Sequence, residues 1–451
     1  MFPDDPYAGE IAFADSQLGR LLDAIERRHP DGRTLVAVTS DHGEGLGDHG
    51  EVTHSLGIYD TTQRVPLVLN GPGVPGATVV RRTVGLVDLA PTLLALVGAE
   101  PLAGTDGVDL VGSWSGDASE ARPVYVETLA TQIDFGWSAL LGIRSGRYKY
   151  IRAPRPELYD IENDPSETRD LSAERPEQMA ELSAILDERL AAAGELAPAI
   201  DPDPAARARL RELGYLAGEP AVPVELGPVG GLDPKDGMAD ALRLMRAMVL
   251  RGQGRPLAAL GVLENIEGGG HMVNLFRSAA AVELGNAEAA ERFAREAVAE
   301  RPAFANGHVL LGEALAARGR AERAAASYEE ALRIEPGLPA ASIGLGRLAE
   351  ARGDRREAAR LYERAVGSRQ GSAEGAWRLA ALRIETGEDA AALLDEVGDL
   401  AYRDPEAALR LARAERAAGR DDAAEARLRK AFRQNRRSAA LARELGAVRR
   451  R

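Results

Sequence analysis

The stretch Leu35-Val36-Ala37-Val38-Thr39-Ser40-Asp41-His42-Gly43-Glu44 decides the fold of the N-terminal part of this chain. Its first five residues form a short, apolar, β-branched run, which predicts a buried strand. Asp41 and His42 follow directly, and open α/β sheets place their ligand sites at the ends of strands. Because Asp and His offer oxygen and nitrogen donors, the stretch predicts half of a metal-assisted active site.

Short strands and helices are predicted around this stretch as far as residue 190. Apolar residues at helical spacing predict a helix over 10–28 with a face suited to covering a sheet. A second buried strand is predicted at 65–69, a hairpin at 140–152 that turns through Ser145-Gly146, and a closing helix at 176–193. The pattern is typical of an α/β domain.

Several motifs, in order along about 170 residues, resemble the sulfatases of the alkaline-phosphatase superfamily. They are residues 40–50, Thr53-His54, Tyr59-Asp60, Arg64-Val65-Pro66-Leu67-Val68, residues 84–94, residues 146–151, Glu157-Leu158-Tyr159-Asp160 and residues 163–167. The resemblance implies a partial alkaline-phosphatase-like sheet with helices on both faces. It also implies metal-dependent hydrolysis of a sulfate ester.

The resemblance implies roles for three residues. Asp41 and His42 match metal ligands, and His54 falls near the position of a lysine that contacts the sulfate and the leaving group. A histidine there would donate a hydrogen bond to the substrate or act as a general acid. The implied cofactor is a divalent cation, Ca²⁺ by family, although Asp and His together also admit Mn²⁺ or Zn²⁺. The alternatives are a strand-end turn at 41–42 and a solvated loop histidine at 54.

Other polar residues of this region receive structural interpretations. We expect Glu44 to hydrogen-bond the ligand loop and Arg64 to pair with a carboxylate inside the fold. Lys149 is interpreted as structural, and His49 as a surface residue of the turn at 47–50.

The nucleophile of such an enzyme is missing from the printed sequence. Sulfatases of this kind carry paired metal-binding aspartates and a Cys- or Ser-x-Pro-x-Arg motif, whose first residue becomes formylglycine. The chain has no cysteine and no Ser-x-Pro-x-Arg. We therefore expect an N-terminally truncated sulfatase domain that binds a cation weakly or not at all. The alternatives are a phosphate-ester hydrolase or phosphoryl-group transferase of the same superfamily, and a non-catalytic interaction protein with an inert sulfatase remnant.

A segment of different composition, rich in Ala, Leu, Arg and Glu, begins near residue 237. It has a period of 34 residues, since Leu311-Gly312 recurs as Leu345-Gly346, Tyr328 as Tyr362 and Ala331 as Ala365. The spacing resembles a tetratricopeptide (TPR) array of about five repeats with a capping helix near 438–448. Such an all-α solenoid implies a protein partner in its groove, the alternative being a passive spacer.

Composition sets the remaining expectations. The formal net charge of −14 argues against general nucleic-acid binding, and no stretch is apolar enough to span a membrane. No secretion signal is recognisable, although full-length relatives of this type are often periplasmic or secreted, so the compartment is left open. The predicted domains are 1–195 (sulfatase-like), 196–236 (a Pro- and Gly-rich linker with a short helix at 205–216) and 237–451 (TPR repeats).

Overall fold

The computed structural model describes residues 5–115, 122–192, 231–266, 270–368, 372–398, 400–436 and 438–448. The chain divides into two compact units. The first comprises the described residues up to 133 together with 137–192 and 231–239, and the second comprises 134–136 and the described residues from 240 onward. The predicted linker helix at 205–216 lies outside the described residues. An α/β part followed by a helical array confirms the predicted fold class.

The first unit contains short strands and helices in alternation. In chain order they are α1 (Pro6–Arg28), β1 (Val36–Thr39), α2 (Asp60–Gln63), β2 (Leu67–Asn70), α3 (Leu89–Leu96), β3 (Val124–Thr128), α4 (Ala130–Phe135, which ends in the second unit), β4 (Leu140–Ser145), β5 (Tyr148–Arg152), β6 (Glu157–Asp160) and α5 (Pro176–Ala192). The hairpin β4–β5 turns through Gly146, whose φ is +56°, a left-handed conformation that suits glycine. The predicted hairpin and closing helix are thereby confirmed.

A four-stranded antiparallel sheet of order β3-β4-β5-β6 forms the core of this unit. One face packs on α5 through Leu182 and Leu186, which are fully buried. The other face packs on Ile58 and Tyr59, the residues that immediately precede α2. The sheet therefore anchors the segment that follows the predicted ligand loop.

The two strands that flank this loop are not buried as predicted. β1 and β2 pair antiparallel with each other and, among the described residues, with no other strand. Residues of β1 are at best half-buried, and Val68 in β2 is 57% exposed. α1 has no buried residue, so its apolar face covers no sheet among the described residues. The apolar pattern is present, but a two-stranded ribbon has too little surface to bury it.

The second unit is a succession of antiparallel helix pairs. Its helices are α6 (Pro234–Gly252, which begins in the first unit), α7 (Pro256–Leu263), α8 (His271–Glu283), α9 (Ala287–Glu300), α10 (Ala305–Ala317), α11 (Ala321–Ile334), α12 (Pro339–Ala351), α13 (Arg355–Val366), α14 (Ala373–Thr386), α15 (Ala391–Val397), α16 (Leu400–Arg403), α17 (Pro405–Ala417), α18 (Asp421–Gln434) and α19 (Ala439–Val448). Pairs α8–α9 to α12–α13 follow the 34-residue period. The degenerate repeat consists of α14 with two short helices, and α19 is the predicted cap.

The 34-residue period has a direct packing cause. A Cβ added at Gly312 would lie 2.6 Å from the ring of Tyr328, and one added at Gly346 would overlap the ring of Tyr362. Both tyrosines are buried, as are Ala331 and Ala365. These two repeats therefore need a glycine on the first helix because a tyrosine of the second helix fills the space.

Candidate functional site

The loop after β1 is held in a fixed shape by its glycines. Gly43 N donates to the carbonyl of Thr62 over 2.7 Å, and Gly45 N donates to the carbonyl of Thr53 over 2.6 Å. A Cβ at Gly43 would overlap the carbonyl oxygen of Thr61. Glycine is required at position 43 because the loop backbone lies directly against the backbone of α2. This contact packs the loop onto α2.

Three side chains of this loop converge. His42, Glu44 and His54 each offer a ligand atom, and these atoms lie within 4.8 Å of one another. The rings of His42 and His54 stack with centroids 3.8 Å apart, and His54 Nδ1 lies 3.3 Å from Glu44 Oε2. The loop between 44 and 54 folds back on itself, so residues ten positions apart in sequence become partners.

Asp41 lies at the edge of this group. Its Oδ2 is 3.7 Å from His42 Nε2, and its Oδ1 accepts a hydrogen bond of 3.0 Å from the backbone N–H of His42. His42 Nδ1 is 2.9 Å from the carbonyl oxygen of Gly43. If Nδ1 carries the proton and donates to that carbonyl, the Nε2 lone pair faces Asp41, the tautomer that a metal-binding histidine uses.

The donor set fits a divalent cation. One imidazole and one carboxylate at 3.7 Å, with a second imidazole and carboxylate nearby, form a mixed nitrogen and oxygen environment. All four side chains retain some exposure to solvent, so an ion can reach them. Asp41 and His42 are the residues that would hold it.

A buried charge cluster lies beneath the loop. Lys149 is 1% exposed, and its Nζ is 3.1 Å from Asp60 Oδ1 and 2.8 Å from Glu167 Oε1. Arg144 lies 2.8 Å from the other oxygen of Asp60, and Asp60 N donates to Glu167. Burial raises the pKa of Glu167, and the neighbouring Lys149 opposes that rise. Since Asp60 begins α2, this cluster fixes the helix on which the ligand loop docks, in agreement with the structural interpretation of Lys149.

Two other expectations need correction. Arg64 is exposed and, within the described part of the chain, forms no ion pair with a carboxylate. His49 is not a bare surface residue, because its ring stacks at 3.6 Å on the buried ring of Tyr59 and its Nε2 lies 3.2 Å from the carbonyl oxygen of Ser166.

The sequence interpretation expected Glu44 to hydrogen-bond the ligand loop but did not identify His54 as its partner. The Asp-His-Gly-Glu run shows that a carboxylate is close to the predicted ligands. The spacing alone does not show which later residue the Gly-rich loop brings back to that carboxylate. Glu51 was missed as well. Its buried carboxylate accepts from the N–H groups of Leu56 and Gly57, both over 2.8 Å, and closes the loop.

Comparison with known proteins gives the same two-part division. The sulfatase family model matches residues 3–99, and the tetratricopeptide repeat model matches residues 315–382. The choline-sulfatase of Rhizobium meliloti is 35% identical over 193 residues, which is 41% of this chain and 36% of that protein. Arylsulfatase K of Mus musculus is 28% identical over 41% of this chain and 34% of its own length. The chain thus spans about a third of these relatives.

Among solved structures, a TPR protein of Thermus thermophilus is 21% identical and matches 46% of this chain and 98% of its own, with a TM-score of 0.31. No helix among the described residues is both long and apolar enough to cross a bilayer.

Proposed function

We propose that this chain, which joins a sulfatase-like N-terminal part to a tetratricopeptide array, carries the cation-binding side of a sulfatase-type site for sulfate esters, a site that is incomplete here because the 451 residues contain no formylglycine motif. The observation that carries the proposal is the convergence of Asp41, His42, Glu44 and His54 on one loop after β1. The sulfatase family is in general dependent on a divalent cation. Ca²⁺ is the ion we favour, with Mn²⁺ and Zn²⁺ as alternatives.

The residues of the loop have different roles in the proposed reaction. Asp41 and His42 would hold the cation, which polarises an ester oxygen when bound. His54 is oriented by Glu44, whose carboxylate lies 3.3 Å from Nδ1. In a complete site, a nucleophile that this chain does not supply would form the new bond to sulfur, and His54 Nε2 could give its proton to the oxygen of the departing alcohol while the Glu44 carboxylate stabilises the charged ring.

The cluster beneath the loop has a positioning role. Asp60 and Lys149 touch no atom of the proposed site, but they hold α2, and α2 holds Gly43 through the carbonyl of Thr62. This buried cluster therefore holds the ligand loop in position without taking part in the reaction.

The TPR array is proposed to bind a protein partner. Its helices form the repeated pairs of a solenoid, and solenoids of this type present an extended surface to polypeptide ligands. In the combined proposal, the array brings the chain to its partner and the loop supplies the cation-binding side of the site.

Calorimetric titration of chelator-treated full chain with CaCl₂ and MnCl₂ tests the cation site. Asp41→Asn should abolish the binding heat, whereas His29→Gln, on an exposed residue at the end of α1, should leave it unchanged. Equal heats in the wild type and Asp41→Asn would remove Asp41 from the ligand set.

Hydrolysis of 4-nitrophenyl sulfate and 4-nitrophenyl phosphate tests the reaction and its alternatives. Turnover of the sulfate ester that falls in His54→Gln supports the proposal, and preference for the phosphate ester supports the phosphohydrolase alternative. The 451 residues contain no Cys- or Ser-x-Pro-x-Arg, which favours the non-catalytic alternative. Cation binding without turnover of either ester would establish that alternative.

A further inference from the structure

A pocket of about 420 Å³ lies among the helices of the TPR array. It is lined by residues from three successive repeats, namely Asn306, Glu335, Leu338, Pro339, Ala340, Ile343, Ser372 and Glu374. Positions 306, 340 and 374 are one period apart, so each stands at the same place on α10, α12 and α14. The lining therefore runs along the array from repeat to repeat, which suits an extended peptide.

The charge of this pocket is concentrated on one carboxylate. Glu335 is only 8% exposed, and in the described ranges its side chain makes no hydrogen bond or ion pair. Glu374, in contrast, is neutralised by Arg378, whose Nε lies 2.8 Å from Glu374 Oε1. A buried carboxylate normally has a partner, because desolvating an unpaired charge is costly. Glu335 lines the pocket, so the missing partner can enter from it.

The sequence of the array sets Glu335 apart. At a spacing of 34 residues, Arg301 precedes this position and Arg369 and Arg403 follow it, so Glu335 has the opposite charge to its neighbours in the series, whereas position 267 is again glutamate. In the repeat before it, Arg301 lies over the ring of Phe304, 5.1 Å from the centroid. Leu338 replaces that phenylalanine one period later. Glu335 and Leu338 thus make this site acidic and less bulky than the same site in the repeat before it.

We propose that this pocket binds an arginine or lysine side chain of a protein segment laid along the TPR array. Glu335 forms the ion pair, and Leu338 and Ile343 pack on the aliphatic stem of the guest side chain. The inference rests on the proposed protein-binding role of the repeats and names the chemistry of the ligand.

A structural explanation of Glu335 competes with this proposal. Pro339 begins α12, and a carboxylate near a helix N-terminus is favoured by the helix dipole. In that case Glu335 would contribute to stability only, and its replacement would not change which ligands bind. Ligand selectivity therefore separates the two explanations.

The experiment measures fluorescence anisotropy of the full chain with three pools of labelled short peptides. The pools share mixed Ala, Leu, Ser and Gly flanks and differ at the central residue, which is arginine, its neutral isostere citrulline, or glutamate. We expect the arginine pool to bind about tenfold more tightly than the citrulline pool, the worth of one charge-assisted hydrogen bond in a buried site. The preference should fall to within about twofold in Glu335→Gln, and higher salt should not erase it in the wild type because the pair is buried.

A charge-reversal variant and a matched control complete the design. Glu335→Arg introduces the residue that other repeats carry at this position, so the fold tolerates it, and it should shift the preference to the glutamate pool. Glu330→Gln removes an exposed carboxylate of α11 that pairs with Arg333, and it should keep the arginine preference. Equal binding of the arginine and citrulline pools, or an unchanged preference in Glu335→Gln, would overturn the inference and leave the protein-binding role intact. Binding of none of the pools would overturn both.

Discussion

Lowering the pH should destabilise the TPR unit through His271, the first residue of α8. This ring is 2% exposed and packs edge-on against Phe304, and its Nδ1 lies 3.3 Å from the carbonyl oxygen of Ala297. Donation to that carbonyl requires the proton on Nδ1. Nε2 is then buried with no hydrogen-bond partner among the described residues. A proton added to Nε2 would therefore have no acceptor. Burial, assisted by the charge of Arg301, lowers the pKa of His271 from 6.5 to about 4.

The size of the stability loss follows from the linkage between proton binding and folding. Because the folded state binds the proton more weakly than the unfolded state, stability is complete above pH 6.5 and is lost as the pH falls toward 4. A shift from 6.5 to about 4 has a limiting value of about 3 kcal/mol below pH 4. At pH 5 the loss is about 2 kcal/mol, and at pH 7 it is below about 0.2 kcal/mol.

Urea unfolding of the full chain, followed by circular dichroism at pH 7 and pH 5, measures this loss. His271→Asn keeps a donor toward Ala297 but cannot titrate, so its free energy of unfolding should fall by about 2 kcal/mol less than that of the wild type. His29→Asn serves as the control, since His29 is exposed at the end of α1, and should behave like the wild type. The carboxylates of the chain titrate in all three proteins and cancel in the comparison. If the wild type and His271→Asn lose equal stability between the two pH values, the assignment to His271 is refuted.

Three further predictions concern packing. Gly346→Ala should destabilise the chain by about 1–2 kcal/mol because its Cβ overlaps a buried ring, whereas Gly261→Ala, in open space on α7, should stabilise it slightly; urea midpoints of the two variants test the pair. Lys149→Met leaves the buried Glu167 without its cation and Asp60 with Arg144 alone, and should cost about 3–5 kcal/mol; a variant as stable as the wild type would show that the cluster does not anchor α2. Residues 1–190 expressed alone should aggregate because β1 and β2 expose apolar surface, whereas 237–451 should remain monomeric and helical; sedimentation of both fragments checks this, and a monomeric, cooperatively unfolding 1–190 would contradict it.

The sequence by itself determined the features that depend on local spacing. The period of 34 residues predicted the helix pairs, because residues at the contact between the first and second helices recur, as Gly312 and Tyr328 do in Gly346 and Tyr362. The hairpin through Gly146 and the closing helix at 176–193 were predicted for the same reason, since turn chemistry and apolar spacing act over a few residues. Asp41 and His42 were placed together because they are adjacent in the chain.

Only the tertiary structure decided the contacts between distant residues. Glu44 meets His54 because the Gly-rich loop folds back on itself, and Lys149 meets Glu167 because β5 and the segment after β6 converge beneath α2. The exposure of β1 and β2 was likewise beyond the sequence, since an apolar run shows what a strand can bury and not what is available to cover it. Burial and charge pairing are properties of the surroundings of a residue, and these are set by the whole fold.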